Sequence, residues 1–202
     1  MTVVLAFDTC LDRMYAVLKK DDKILASRIV ENTDTKYHSA FLISTLQEIM
    51  QENNIKPQDI DLIATNIGPG SFTGIRACVT VARVMAQQLG CKAAGVSSLE
   101  ILSKLADSNP LVALDARKNS AYLYCDGEIK GAVNIEEVQE IIKSGNYTVI
   151  TDDKLKPLLG GTSYQEISHP LGEFLAELAC SDGRETNWRK LKPLYIQPPP
   201  GI

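Results

Sequence analysis

Three kinds of residue in this chain could do chemistry. The first is the stretch "GPGSFTGIR", from Gly68 to Arg76, set between an apolar run "IDLIATNI" and a long apolar segment "ACVTVARVMAQQLG". Glycines at a strand-to-helix junction let a backbone approach a phosphate. The second is a pair of aspartates, Asp8 in "AFDTC" and Asp115 in "ALDARK", each following an apolar run. A carboxylate in that place can hold a hydrated magnesium ion on a nucleotide phosphate. Asp8, Gly68, Gly70, Ser71, Thr73, Gly74 and Asp115 are therefore the candidates for residues near a nucleotide. The third is His38, at the head of "HSAFLISTL", a candidate metal ligand.

Each candidate fails part of the pattern it suggests. A Walker A loop ends in G-K-[ST], and the nearest basic residue is Arg76, two positions past Gly74. Gly68, Gly70 and Gly74 give G-x-G-x-x-x-G, but "LGCKAAG" stands where a dinucleotide site needs its acidic residue. Ser71 would need glycines in place of Pro69 and Thr73 to be a nucleophile on an elbow, and only His38 and His169 could be its base. Ser71 and Thr73 read more simply as capping and turn residues of the following helix. His38 has Leu42 four residues on, where a helical metal site would need a second histidine. Neither "DTCLDR" nor "DARKNS" has the glycines that would bring backbone N–H groups to a phosphate, and Asp115 beside Arg117 and Lys118 reads equally as a turn with a local ion pair. Asp8 and Asp115 remain the strongest candidates for chemistry, with a poor grip on phosphate.

The elements that must position these residues follow from periodicity. "TVVLAFD" reads as a buried strand, and "MYAVLKKDDKILASRIVEN" as a hairpin around a polar turn. Residues 38–53 place Leu42, Leu46, Ile49 and Met50 on one helical face and leave Phe41 and Ile43 off it. After "IDLIATNI" and the glycine loop comes a helix with Ile75, Cys78, Val79, Val81, Ala82, Val84, Met85 and Leu89 around most of its cylinder. Such a helix is either pinned between the sheet and residues 38–53 or buried against a partner, and the size of the domain favours the partner. From Asn109 the order of strand, Asp and strand pair repeats, with Asp126-Gly127 as a tight reversal. A duplicated fold results, with a boundary near Asn109-Pro110: an N-terminal lobe over residues 1–109 and a smaller C-terminal lobe over 110–202, whose last helix returns to the first lobe. The tail "LKPLYIQPPPGI" is extended.

Composition narrows the function classes. With 202 residues, 45% of them hydrophobic, the chain can build a sizeable core. A net charge of -4 offers no general attraction for nucleic acid or an anionic membrane, so contact with either would be local or shared with a partner. Cys10, Cys78, Cys91, Cys125 and Cys180 are scattered without a C-x-x-C pair, which points to a reducing, cytoplasmic setting. The start "MTVVLAFDTC" reads as a first strand and not as a signal peptide, and no apolar run is long enough to span a bilayer.

Taken in order, "FDTC", "GPGSFTGIR", "GVSSLEIL", "LDARKNSAYLYC" and "KPLYIQPP" resemble the bacterial TsaB family, also called YeaZ. The resemblance covers nearly the whole chain. It implies an α/β fold of the actin-like, sugar-kinase-like (ribonuclease H-like) type, with two related lobes of mixed sheets flanked by helices. It also implies a non-catalytic subunit that binds and activates its paralogue TsaD, with the ATPase TsaE, in threonylcarbamoyl transfer to the adenosine next to the anticodon of tRNA. The resemblance implies a cytoplasmic protein, a homodimer when alone, tRNA met only through the complex, and no cofactor beyond ATP or ADP and a metal ion in the assembled complex. The partner seam it implies includes His38, Phe41, Leu42, Thr45 and Ile49 on one helix and Cys78, Val81, Arg83 or Met85 on the other. The chain is short for that family in its second lobe, and Gln197 stands where arginine is common. The alternative from another class is a stand-alone ATPase or kinase of the same fold, resting on Asp8, Asp115 and the glycine loop.

Overall fold

A computed structural model describes residues 1–31, 40–168 and 170–197. The chain divides into two units, Met1–Ser98 with Pro170–Leu194, and Leu99–His169 with Tyr195–Ile202. The division falls before the boundary near Asn109-Pro110 read from the repeat, because the helix at Ser98–Ser103 straddles it.

In the first unit, β1 (Val3–Asp8), β2 (Met14–Lys20), β3 (Lys23–Val30), β4 (Leu62–Asn66) and β5 (Lys92–Val96) form one sheet in the order β3-β2-β1-β4-β5. The β1–β2–β3 part is an antiparallel meander, and β4 and β5 add to β1 in parallel. Alternation along the strands sorts their two faces. Val3, Leu5 and Phe7 of β1 join Met14, Ala16 and Leu18 of β2 in a core with Leu42, Leu46 and Ile49 of α1 (Leu42–Glu52) and Ile75, Cys78 and Ala82 of α2 (Phe72–Leu89). Tyr15 and Val17 point the other way, where Gly172 of a later helix, Leu171–Ala179, lies against them. That helix packs on β1, β2, β4 and β5. The segment after it is tied to the same sheet by Ala93 N–H to the Thr186 carbonyl at 3.0 Å and Leu194 N–H to the Ile67 carbonyl at 2.8 Å.

The second unit repeats the plan. With α3 assigned to Ser98–Ser103, its elements are β6 (Pro110–Arg117), β7 (Ser120–Cys125), β8 (Glu128–Asn134), α4 (Ile135–Ser144), β9 (Thr148–Thr151), α5 (Lys156–Leu159) and β10 (Thr162–Ser163), and the helix Leu171–Ala179 is α6. Its sheet runs β10-β9-β6-β7-β8, the same order as the first when read from the other edge. Asp126 and Gly127, at φ 54° and 78°, make the reversal between β7 and β8 expected from the sequence. Leu111 and Ala113, Ala121 and Leu123, and Ile135 and Val138 form its core with Leu155 and Leu159. The two mixed five-stranded sheets flanked by helices are the duplicated α/β architecture of the actin-like class.

Burial corrects the partner seam. Leu42, Thr45 and Ile49 of α1 and Cys78 of α2 are core residues of the chain itself. Val81, Met85 and Leu89 are half-buried against the same core, so α2 is largely pinned within its own unit, as the alternative reading held. Arg83 is turned inward as well, donating from Nη1 to the Leu191 carbonyl at 3.1 Å. The apolar side chains these helices expose are Phe41 at 48% and Ile43 at 48%, with Phe72 at 45% and Val84 at 53%. The spacing of four between Leu42, Leu46 and Met50 makes the inward stripe, and Ile43 follows one residue off it. His38 lies outside the described residues.

Candidate functional site

The glycine loop and Asp8 meet at one end of the first sheet. Asp8 closes β1 in the centre of the sheet, and Asn66 closes the adjacent parallel strand β4. The loop from Ile67 to Ser71 then leads into α2, with Ser71 as its N-cap: the Ser71 hydroxyl accepts from Gly74 N–H at 3.2 Å. The capping role read for Ser71 is thus what the structure shows. Thr73 follows in the first turn with an exposed side chain.

Asp8 is sealed. Only 1% of it is exposed; Oδ1 accepts Cys10 N–H at 2.6 Å and Oδ2 accepts Asn66 Nδ2–H at 2.9 Å. Burial raises its carboxyl above the usual range, although the hydrogen bonds from Asn66 and Cys10 pull the other way. Asn66 is itself held, its Oδ1 accepting from Gly68 N–H at 2.8 Å and from the Ser98 hydroxyl at 3.0 Å. Sequence reasoning missed Asn66 and Ser98. A buried amide at the end of the apolar strand "LIATN" was the one signal available for the first.

The glycines of the loop serve a backbone and not a phosphate. A Cβ at Gly70 would stand 2.4 Å from the Cys10 carbonyl oxygen, and one at Gly74 would stand 2.0 Å from that of Thr9. Only glycine lets the loop and the first turn of α2 come so near the β1–β2 connection. Three N–H groups of the loop and first turn are already used: Gly68 by Asn66, Ser71 by the Cys10 carbonyl at 2.8 Å, and Gly74 by Ser71.

The fold also gathers residues far apart in the sequence. Cys10 and Cys78, 2% and 0% exposed, come together beside Asp8, and Thr9 lies between them and the loop. Thr9 N–H donates to Cys78 Sγ at 3.2 Å, and Thr9 Oγ1 donates to the Gly74 carbonyl at 3.1 Å while lying 3.2 Å from the same sulfur. Burial drives the Cys10 thiol well above its ordinary range, and the neighbouring Cys78 and Asp8 add to the effect. The scatter of cysteines in the sequence gave no sign of this pair.

Asp115, the second candidate, lies in the other unit and in a different setting. Its Oδ2 accepts from Lys154 Nζ at 2.8 Å and its Oδ1 from Arg117 N–H at 2.8 Å. Partial burial pushes its carboxyl up, but the bonds from Lys154 and Arg117 and their positive charges outweigh it and hold the group below the usual range. The turn is present, with Arg117 N–H bonded to Asp115, but the ion pair is made with the distant Lys154 and is not the local one read from Arg117 and Lys118.

Comparison with known proteins adds identity to geometry. A family model for TsaD, tRNA N6-adenosine threonylcarbamoyltransferase, matches residues 24–144. The chain is 31% identical over 122 residues to the tRNA threonylcarbamoyladenosine biosynthesis protein TsaB of Bacillus subtilis, covering 59% of this chain and 52% of that one. It is 30% identical over 131 residues to an uncharacterized protein of Mycobacterium bovis, covering 63% of this chain and 61% of the relative. The matched stretch therefore spans 52% and 61% of these two relatives' length. Among solved structures, YeaZ from Pseudomonas aeruginosa matches with a TM-score of 0.73 at 21% identity, over 96% of this chain and 100% of that one, which is a likeness of fold. With a family model matched over more than half of its residues, the chain belongs to the TsaD family, and TsaB proteins are among its relatives.

Proposed function

We propose that this protein is a non-catalytic subunit of the tRNA threonylcarbamoyladenosine machinery. It binds the catalytic paralogue TsaD and, together with the ATPase TsaE, supports transfer of the threonylcarbamoyl group to the adenosine next to the anticodon. The observation that supports this reading is the glycine loop, whose close approaches at Gly70 and Gly74 meet the Cys10 and Thr9 carbonyls and whose Gly68 and Ser71 N–H groups bond to Asn66 and Cys10. In the assembled complex, ATP or ADP and a metal ion are then held by the partners, and tRNA is met through them. Phe41 and Ile43 beside and on α1, with Phe72 and Val84 on α2, supply exposed apolar surface for TsaD, or for a second copy when TsaD is absent. Among the described residues no helix is long and apolar enough to cross a membrane, and the place of action is the cytoplasm.

Light scattering on a sizing column tests the proposal, first with the protein alone and then with its cognate TsaD, TsaE and ATP. A mixed species, together with threonylcarbamoyl transfer to tRNA that requires this protein, is the expected result. No mixed species, with ATP hydrolysed by the chain alone, would overturn it in favour of a stand-alone ATPase.

A further inference from the structure

We propose that Asp8, Cys10 and Cys78 form a binding site for a zinc ion. The three residues come from the end of β1, the connection after it and the second turn of α2, and one ligand atom from each lies within 4.8 Å of the others. Zinc holds sulfur at about 2.3 Å and carboxylate oxygen at about 2.0–2.2 Å, so a tetrahedral site needs its ligand atoms about 3.5–4 Å apart. Side-chain adjustments on the order of 1 Å bring this set to that spacing.

The surroundings supply what metal ligands require beyond their own atoms. Thr9 N–H points at Cys78 Sγ, the kind of donor that stabilises a bound thiolate, while Cys10 N–H and Asn66 Nδ2 orient the two oxygens of Asp8. Each carboxylate oxygen keeps a second lone pair after accepting one hydrogen bond. Asp8 makes no ion pair among the described residues. A buried carboxylate without a counter-charge is costly, and a divalent cation supplies that charge. Two sulfurs with one oxygen select zinc over magnesium or calcium, which take oxygen donors.

Binding is an exchange without electron transfer. Zn²⁺ displaces the protons of the Cys10 and Cys78 thiols, which pass to solvent, and forms two Zn–S bonds and one Zn–O bond to the Asp8 carboxylate. The resulting centre carries one net negative charge, and water takes the fourth position. Gly70 and Gly74 close over the connection that carries Cys10, so the ion enters during folding or when this loop opens, and it leaves slowly.

The test uses the full chain, purified under reducing conditions without chelator from cells grown with added zinc, its metal measured by mass spectrometry of the elements. The expected content is about one zinc per chain, retained through dialysis against EDTA. The double variant Cys10→Ser/Cys78→Ser should hold at least tenfold less, and Cys91→Ser/Cys180→Ser should hold as much as the native chain. Should the first variant fail to fold, native protein refolded with cobalt provides the second readout, a sulfur-to-cobalt charge-transfer band in the near ultraviolet. Absence of both zinc and that band overturns the proposal. So does zinc unchanged in the Cys10/Cys78 variant, or a Cys10–Cys78 disulfide in place of metal in the reduced preparation.

Discussion

In the first unit an aspartate follows the central strand into the interior, where an asparagine from the next parallel strand and a backbone N–H hold it. In the second, Asp115 stands on β6, the strand equivalent to β1, and is half-buried beside a lysine that is 74% exposed. The element that follows the adjacent strand makes the difference. β4 leads through the glycine loop into α2, a helix of 18 residues that covers the β1–β2 connection. β9 leads through Asp152 and Lys154 into α5, which has only 4 residues. Asp152 Oδ2 accepts Asp115 N–H at 2.7 Å and Lys154 pairs with its carboxylate, so polar side chains occupy the space that a helix end fills in the first unit. One topology thus yields a sealed acid and a half-buried one, and the length of one crossover decides which.

The largest effect should come from the loop that seals the first unit. Gly74→Ala puts a methyl group 2.0 Å from a backbone oxygen and 2.8 Å from a backbone carbon, neither of which can swing aside. The helix gains about 1 kcal/mol from alanine, but overpacking against backbone outweighs it, for a net loss of about 3 kcal/mol. Gly127→Ala in the second unit meets no atom within 4 Å and costs about 1 kcal/mol through its positive φ alone. Equal losses in urea unfolding would show that the loop does not seal the site.

Truncating the two aspartates comes next. Asp8→Ala strands Cys10 N–H and Asn66 Nδ2 away from water and should cost about 2–4 kcal/mol. Asp115→Ala removes a bond to an exposed lysine and should cost about 1 kcal/mol or less. The same denaturant series reads both, and a larger loss at Asp115 would reverse the assignment of sealed and half-buried.

Titration separates the pair by sign. Asp8 has its carboxyl raised above 3.8 by burial, so the folded state binds the extra proton: this contribution is full below the unfolded value and is lost as pH rises through the folded one. Asp115 is lowered from 3.8, so its contribution is present above the unfolded value and is lost as pH falls through the folded one. Unfolding free energies of metal-free protein from acid to neutral pH, taken as native minus Asp8→Asn, should therefore fall as pH rises above 3.8. Native minus Asp115→Asn should rise with pH below that value. Parallel slopes would mean that both carboxyls see the same environment.

Much of this contrast was legible in the sequence, and the rest was not for identifiable reasons. Local signals gave the hairpin around "KKDDK", the reversal at Asp126-Gly127, the helices and the repeat that places Asp8 and Asp115 in equivalent strands. Ser71 as a cap and the failure of the phosphate patterns were likewise local. What escaped depends on contacts between distant positions. Cys10 and Cys78 meet across 68 residues, and Asn66 reaches Asp8 across 58, and neither pairing has a spacing rule. Periodicity gave the stripe of α1 but not which side of α2 faces the core, because Val81, Met85 and Leu89 are apolar on a flank that is only half covered. The resemblance puts Leu42, Thr45, Ile49 and Cys78 in the seam, although the stripe of α1 already sets Leu42 and Ile49 inward, and the unit keeps all four for its own core.

The smallest effect on stability should be the most telling about assembly. Ile43 and Val84 are exposed, so Ile43→Glu and Val84→Glu should each change folding stability by no more than about 0.5 kcal/mol. Either would then bury an unpaired charge on binding TsaD, with affinity falling at least tenfold, on the order of 1.4 kcal/mol. Leu158, 52% exposed in the second unit, gives the matching control: Leu158→Glu should leave both stability and affinity near their native values. Melting curves and titrations of TsaD into each variant measure the two quantities separately. If Leu158→Glu weakens assembly and the other two do not, the partner docks on the second unit. The covered end of the first sheet would then serve only to hold its own core, and the apolar side chains of α1 and α2 would need another explanation.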